Sequence, residues 1–281
     1  MKKLHLTRFA AMATVALMGS TAAWAASGTG WSTSGSTLTL QSGTNQAVSI
    51  TSSNVTDIGS IDKIVVQRAG NTAMYSTLML PVTVTPSESD QIVAAYFPTG
   101  YNPSTTTLDM QSADNIQANK PYLVEVLGSP TKFEFNTASS YTVQATGDNE
   151  HSFTLSSSCW EFTGTYAKKE WASADNLYGY DSYDGVFVKA LSATIYPMRA
   201  YLTCNNSPSG GFGKVAAEVS LPDVINVRFL DKNGGTLSIG TMNTRTGDIQ
   251  MQDRYYDLKG RKLNGKPQNK IMYVNKKVIK H

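Results

Sequence analysis

The chain is poor in the residues that most catalytic and metal-binding motifs require. Its 281 residues hold three histidines and two cysteines, and only 16% are charged. His5 and His281 stand near the ends, which leaves His151 alone in the body. The patterns GxSxG, HExxH, CxxC and GxGxxG are absent. With them goes sequence support for a nucleophile elbow, a zinc protease, a dithiol redox centre or a dinucleotide site. Two Cys and one His fall short of a four-ligand zinc site unless carboxylates complete it. No stretch approaches the roughly 18 consecutive apolar residues of a membrane-spanning helix. Beyond the first 25 residues, helical periodicity is missing as well.

The net charge of +3 averages unlike parts. Residues 1–25 carry Lys2, Lys3 and Arg8 and no acid, whereas residues 254–281 carry nine Lys or Arg against Asp257. Of 24 basic and 21 acidic residues, 12 and 20 remain in 26–253, a net of −8. An acidic body argues against nucleic acid as a partner.

Residues 1–25 read as a secretory signal peptide. MKKLHLTR is a basic n-region, residues 9–18 form an apolar stretch too short to cross a bilayer, and Ala23-Trp24-Ala25 fits small-x-small cleavage after Ala25. No Cys near that point offers a lipid anchor. From Ser27 onward, short runs rich in β-branched residues alternate with turn residues about every 8–12 positions. In 78–85 Leu78, Leu80, Val82 and Val84 share one face, with Pro81 marking an edge or a bulge. In 122–127 Leu123 and Glu125 oppose Val124 and Val126. Asp184-Gly185 and 231–235 (DKNGG) predict hairpin turns. The expected fold is an all-β, jelly-roll-like antiparallel β-sandwich over 26–221. A hairpin or linker over 222–253 and a small C-terminal hairpin segment over 254–281 follow it.

Cys159 and Cys204 end two predicted strands. In an exported chain a disulfide between them is the default, and two buried thiols are the alternative. The stretch 160–184 gathers Trp160, Tyr166, Trp171, Tyr178, Tyr180 and Tyr183 among Asp175, Asn176, Asp181 and Asp184. Flat rings stack on sugar C–H faces and Asp or Asn binds hydroxyls, so Trp171, Tyr178, Tyr180 and Asp181 are candidate glycan-binding residues. The competing account makes the aromatics ordinary core and strand residues. The Asp/Asn spacing also admits calcium but lacks a DxDxDG-type loop. No cofactor and no metal site is expected.

The tail reads Tyr256-Asp257-Leu258-Lys259-Gly260-Arg261, then Asn264-Gly265, then Met272-Tyr273-Val274-Asn275-Lys276-Lys277-Val278-Ile279-Lys280. It resembles the C-terminal sorting domain of type IX secretion cargo in Bacteroidetes-like Gram-negative bacteria. There a YDLxGR turn precedes a GxYxVxxxGKxVxxK hairpin; here Ile271 stands at the glycine before the aromatic strand. The resemblance implies that Tyr256, Asp257, Leu258, Gly260, Arg261, Tyr273, Val274, Lys277 and Val278 form a sorting signal read by the secretion machinery. It also implies a cell-surface or extracellular destination. The body is similar to uncharacterised β-rich exported proteins with such tails, on residues 75–81 (YSTLMLP), 116–126 (IQANKPYLVEV), 185–189 (GVFVK) and 195–202 (IYPMRAYL). That similarity carries no activity. The resulting expectation is a non-catalytic adhesion or structural protein. A polysaccharide-binding module is the second reading, and a glycan-active enzyme with an unrecognised carboxylate pair the third.

Overall fold

A computed structural model describes residues 25–68, 74–128, 130–155, 158–172, 176–182, 184–190, 192–204 and 221–242, together with short strands between 249 and 280. The expected signal peptide lies outside these residues apart from Ala25, as do Asp257, Leu258, Gly260, Arg261 and Lys277 of the tail.

The chain folds as an all-β sandwich. A five-stranded sheet runs in the order Ser27–Gly28, Trp31–Ser34, Thr37–Gln41, Ile61–Gln67, Lys132–Tyr141. A twelve-stranded sheet runs Glu150–Thr154, Trp160–Thr165, Arg199–Cys204, Leu177–Asp181, Val186–Lys189, Val224–Leu230, Thr107–Ala113, Ile92–Asn102, Tyr122–Val126, Tyr75–Leu78, with Thr236–Met242 and Ile249–Met251 branching from Val224–Leu230. Two pairings are parallel, Thr37–Gln41 with Ile61–Gln67 and Thr107–Ala113 with Val224–Leu230, where a wholly antiparallel sandwich was expected. Parallel neighbours need a crossover. The first pair is linked by a segment holding the helix Ser52–Ile58, which the hydrophobic pattern did not reveal. Its signal was a cap: Thr51 Oγ1 accepts from the Asn54 N–H at 3.3 Å, and Asn54 Oδ1 accepts from the Thr51 N–H at 3.1 Å.

Two cores result. One lies between the sheets and contains Leu38, Ile64, Val66, Leu80, Val82, Phe133 and Phe135. The other lies inside the curl of the larger sheet and contains Leu108, Trp160, Phe162, Phe187, Leu202 and Ile225. The strand Tyr122–Val126 serves both, with Tyr122, Val124 and Val126 facing the first and Leu123 the second. The curl brings Tyr75–Leu78 back toward Arg199–Cys204. There the Met79 N–H donates to the Met198 carbonyl (3.1 Å), and the Ala200 N–H donates to Thr77 Oγ1 (2.9 Å) in place of a ladder bond. The alternating run read over 78–85 is not a continuous strand: the strand Tyr75–Leu78 ends where that run begins. Beyond Pro81 only single bridges remain, Val82 to Val143 and Val84 to Ile116, because Pro has no N–H to donate to a ladder.

Both predicted hairpin turns are present: Gly185 and Gly234 take positive φ of 72° and 81°. The strand Val224–Leu230 is not an appendage to the sandwich, as the expected division at 221 had it. It pairs on both sides inside the large sheet and places Ile225, Val227 and Phe229 in the second core. The tail strands Tyr255–Tyr256, Lys262–Leu263, Tyr273–Asn275 and Val278–Lys280 form a four-stranded sheet of their own.

Burial raises the pKa of nine tyrosines, Tyr178 and Tyr201 to about 12 among them. An acid whose pKa is raised on folding contributes stability that is complete below its unfolded pKa near 10 and is lost as pH climbs through the folded value. Arg199, lowered by burial to about 10, and Arg68, lowered likewise, act in the opposite sense but are two groups against nine. Tyrosinate absorbance at 295 nm is therefore expected to rise together with loss of near-UV circular dichroism, in one steep step above pH 10. Gradual ionisation centred near pH 10 with the dichroism intact would contradict the burial.

Candidate functional site

Cys159 and Cys204 form a disulfide where the paired strands Trp160–Thr165 and Arg199–Cys204 end. The aromatic cluster between them is distributed otherwise than sugar stacking requires. Trp171 is 6% and Tyr178 0% exposed. Trp171 packs against Tyr201 with ring centroids 6.3 Å apart, and Tyr178 stands edge-on to Trp160 at 5.0 Å while its hydroxyl donates to the Pro222 carbonyl (2.7 Å). Neither ring offers a face to solvent, which corrects their assignment as stacking platforms. Tyr180 is partly buried against the second core, edge-on to Phe187 at 5.1 Å. Asp181 sits at the hairpin, where its Oδ1 accepts from the Asp184 N–H at 3.3 Å.

Trp171 and Tyr180 nevertheless meet again, at a cleft of about 280 Å³. The antiparallel ribbon of Lys169–Ala172 and Ser192–Ile195 supplies one wall through Trp171, Ala193 and Thr194. The closing strands of the curled sheet supply the others through Tyr75, Ser76, Thr77, Gly179 and Arg199. Trp171 Nε1 and the Tyr180 hydroxyl are both enclosed and lack a hydrogen-bond partner among the described residues. Such orphaned buried groups are uncommon in folded proteins, and neither atom is open to the cleft that its side chain lines. No Asp or Glu is among the described residues lining it.

The turn that aims Arg199 is strained. Met198, fully buried, has φ of 62°, an uncommon conformation for a side-chain-bearing residue. It is held by its N–H donating to the Thr165 carbonyl (2.6 Å) and by Ser42 Oγ donating to the Pro197 carbonyl (2.6 Å). Arg199 Nη1 then donates to Ser76 Oγ at 2.9 Å, and Arg68 Nη2 donates to the same oxygen at 2.7 Å. Burial, with the neighbouring Arg199 charge second, holds the Arg68 guanidinium well below the usual arginine range. Burial, then Tyr75 and Asp181, raises the Tyr180 phenol. The tyrosine stays neutral and the arginines stay charged at neutral pH.

Sequence reasoning placed Trp171 and Tyr180 near a site but missed Arg68, Arg199, Ser76 and Tyr75. One signal was available: Arg68 closes the apolar run 64–66 and Arg199 interrupts 195–202, positions where an arginine is costly without a role. Three stretches that carried the resemblance of the body, 75–81, 116–126 and 195–202, come together around this cleft and the strand behind it. No family model matches the chain, and no curated protein or solved structure matches it either.

Proposed function

We propose that the chain is a non-catalytic exported protein of the cell surface or the medium, sorted by its C-terminal segment and acting in adhesion by binding a saccharide in the Trp171–Tyr180–Arg199 cleft. The observation that carries the reading is the lining of that cleft, where the side chains of Trp171, Tyr180, Tyr75 and Arg199 come together with a set of hydroxyls. Ser76, Thr77, Ser182 and Thr194 add hydroxyls to its lining, which suits the hydroxyls of a sugar. The volume of about 280 Å³ lies just under the usual range of about 300–1,000 Å³ for drug-sized ligands, a size for one sugar unit. Export is supported by the basic and apolar segments of residues 1–25, by the disulfide and by the tail motif.

A glycan array probed with the mature chain, residues 26–281, tests the binding. A Cβ built on Gly179 meets nothing within 4 Å, so Gly179→Val projects into the cleft while suiting a strand position better than glycine does. The wild type is expected to bind a defined set of glycans. Gly179→Val is expected to keep its melting temperature and lose that set. A silent array, or equal binding by the variant, would count against the cleft.

A further inference from the structure

We propose, building on the saccharide reading above, that the cleft selects a sugar unit bearing a carboxylate, with Arg199 in the wall meeting the anion and Arg68 charging the site from behind. Arg68 is 6% exposed. Its Nη2 has two neutral oxygens as acceptors, Ser76 Oγ at 2.7 Å and the Thr77 carbonyl at 3.2 Å, while its Nε and Nη1 have none among the described residues. The Phe133 ring lies under the guanidinium at 4.6 Å, a weak substitute for a counter-ion. None of the ion pairs among the described residues includes Arg68. A cation buried this way is costly, and a second guanidinium sharing Ser76 Oγ adds repulsion. A negative charge placed in the cleft beside Arg199 lowers the cost of the buried Arg68 charge, whereas a neutral ligand does not.

The occupant is an acidic glycan rather than an acidic peptide because the body around the cleft is acidic overall: residues 26–253, the two arginines included, have a net charge of −8. A chain with many carboxylates would be repelled wherever it left the cleft, while an otherwise neutral glycan with one acidic unit would not. The hydroxyl-rich lining favours the same class.

Isothermal titration of the mature chain, residues 26–281, with methyl glucuronide, methyl glucoside and triglutamate separates the readings. Methyl glucuronide is expected to bind at least about tenfold tighter than methyl glucoside, the margin of a charge-assisted pair. Triglutamate is expected to bind more weakly than the glucuronide. Arg199→Met and Arg68→Met are each expected to erase the preference for the glucuronide. The preference is measured on the wild type, so it does not depend on either variant folding. Equal affinity for the two sugars overturns this proposal and leaves the saccharide cleft standing. No binding of either sugar overturns both. Tighter binding of triglutamate makes the site a peptide acceptor and overturns the acidic-glycan assignment.

Discussion

Replacing Cys159 and Cys204 together by alanine is expected to lower the unfolding free energy by about 4 kcal/mol. The two residues are 45 positions apart in the chain, and closing a loop of that length removes about that much conformational freedom from the unfolded state in the chain-entropy model. For a domain whose whole stability is about 5–15 kcal/mol, this is among the largest effects two substitutions can have. The loop contains Lys169–Ala172, Leu177–Asp181, Val186–Lys189 and Ser192–Ile195, which include much of the cleft. Loss of the bond is therefore expected to weaken ligand binding as well as the fold. Beside it, Trp160 is 1% exposed and packs against Tyr101 at 5.3 Å and Tyr178 at 5.0 Å, so the bond anchors one end of the second core. Guanidinium unfolding with and without dithiothreitol, compared with the double variant, measures the effect. A midpoint change equivalent to less than about 1 kcal/mol would mean that the Trp160–Cys204 strand pairing already holds this loop in the unfolded ensemble.

Strand positions and turns were legible because each has a local physical cause. Alternation at 122–126 and glycine at 185 and 234 act within a few residues, and the structure follows them. What alternation does not encode is how many cores a strand serves. Leu123 and Val124 point to opposite faces in either case; that both faces are buried depends on Tyr75–Leu78 returning to Arg199–Cys204, more than 120 residues away. The short helix escaped for a related reason. Seven residues with Ile58 as the one buried position carry no periodic stripe, and its cap at Thr51 and Asn54 is its only local mark. At the cleft, residue type alone misplaced Trp171. Its ring is in a small core with Leu177 and Tyr201, and its indole nitrogen is enclosed there without a hydrogen-bond partner among the described residues. The arginines were hidden for the opposite reason: Arg68 and Arg199 are 131 positions apart, and nothing short of the folded sheet brings them to one serine hydroxyl.

Removing residues 254–281 is expected to leave the protein folded but confined to the periplasm. The tail strands Tyr255–Tyr256, Lys262–Leu263, Tyr273–Asn275 and Val278–Lys280 pair with one another, and among the described residues none of their ladders joins the sandwich sheets. The truncation therefore severs no backbone pairing of either sheet, and the melting temperature is expected to stay within the small range of surface changes, about 0.5 kcal/mol in stability. On the proposed export route, crossing of the first membrane rests with residues 1–25, which the truncation keeps, so cleavage after Ala25 and the disulfide are expected to be intact. What is lost is the short basic sheet at the end. Its edge strands, Lys262–Leu263 and Val278–Lys280, suit recognition by strand addition, and the nine basic residues of 254–281 set that segment apart from the acidic body. Expressed in a host with type IX machinery, the full chain should be found at the surface or in the medium and be cleaved by protease added to whole cells. The truncated chain should be protected until the outer membrane is opened. Truncated protein that still reaches the surface would remove the sorting role from the tail; truncated protein found unfolded or degraded in the periplasm would instead give the tail a structural part that its self-contained pairing does not suggest.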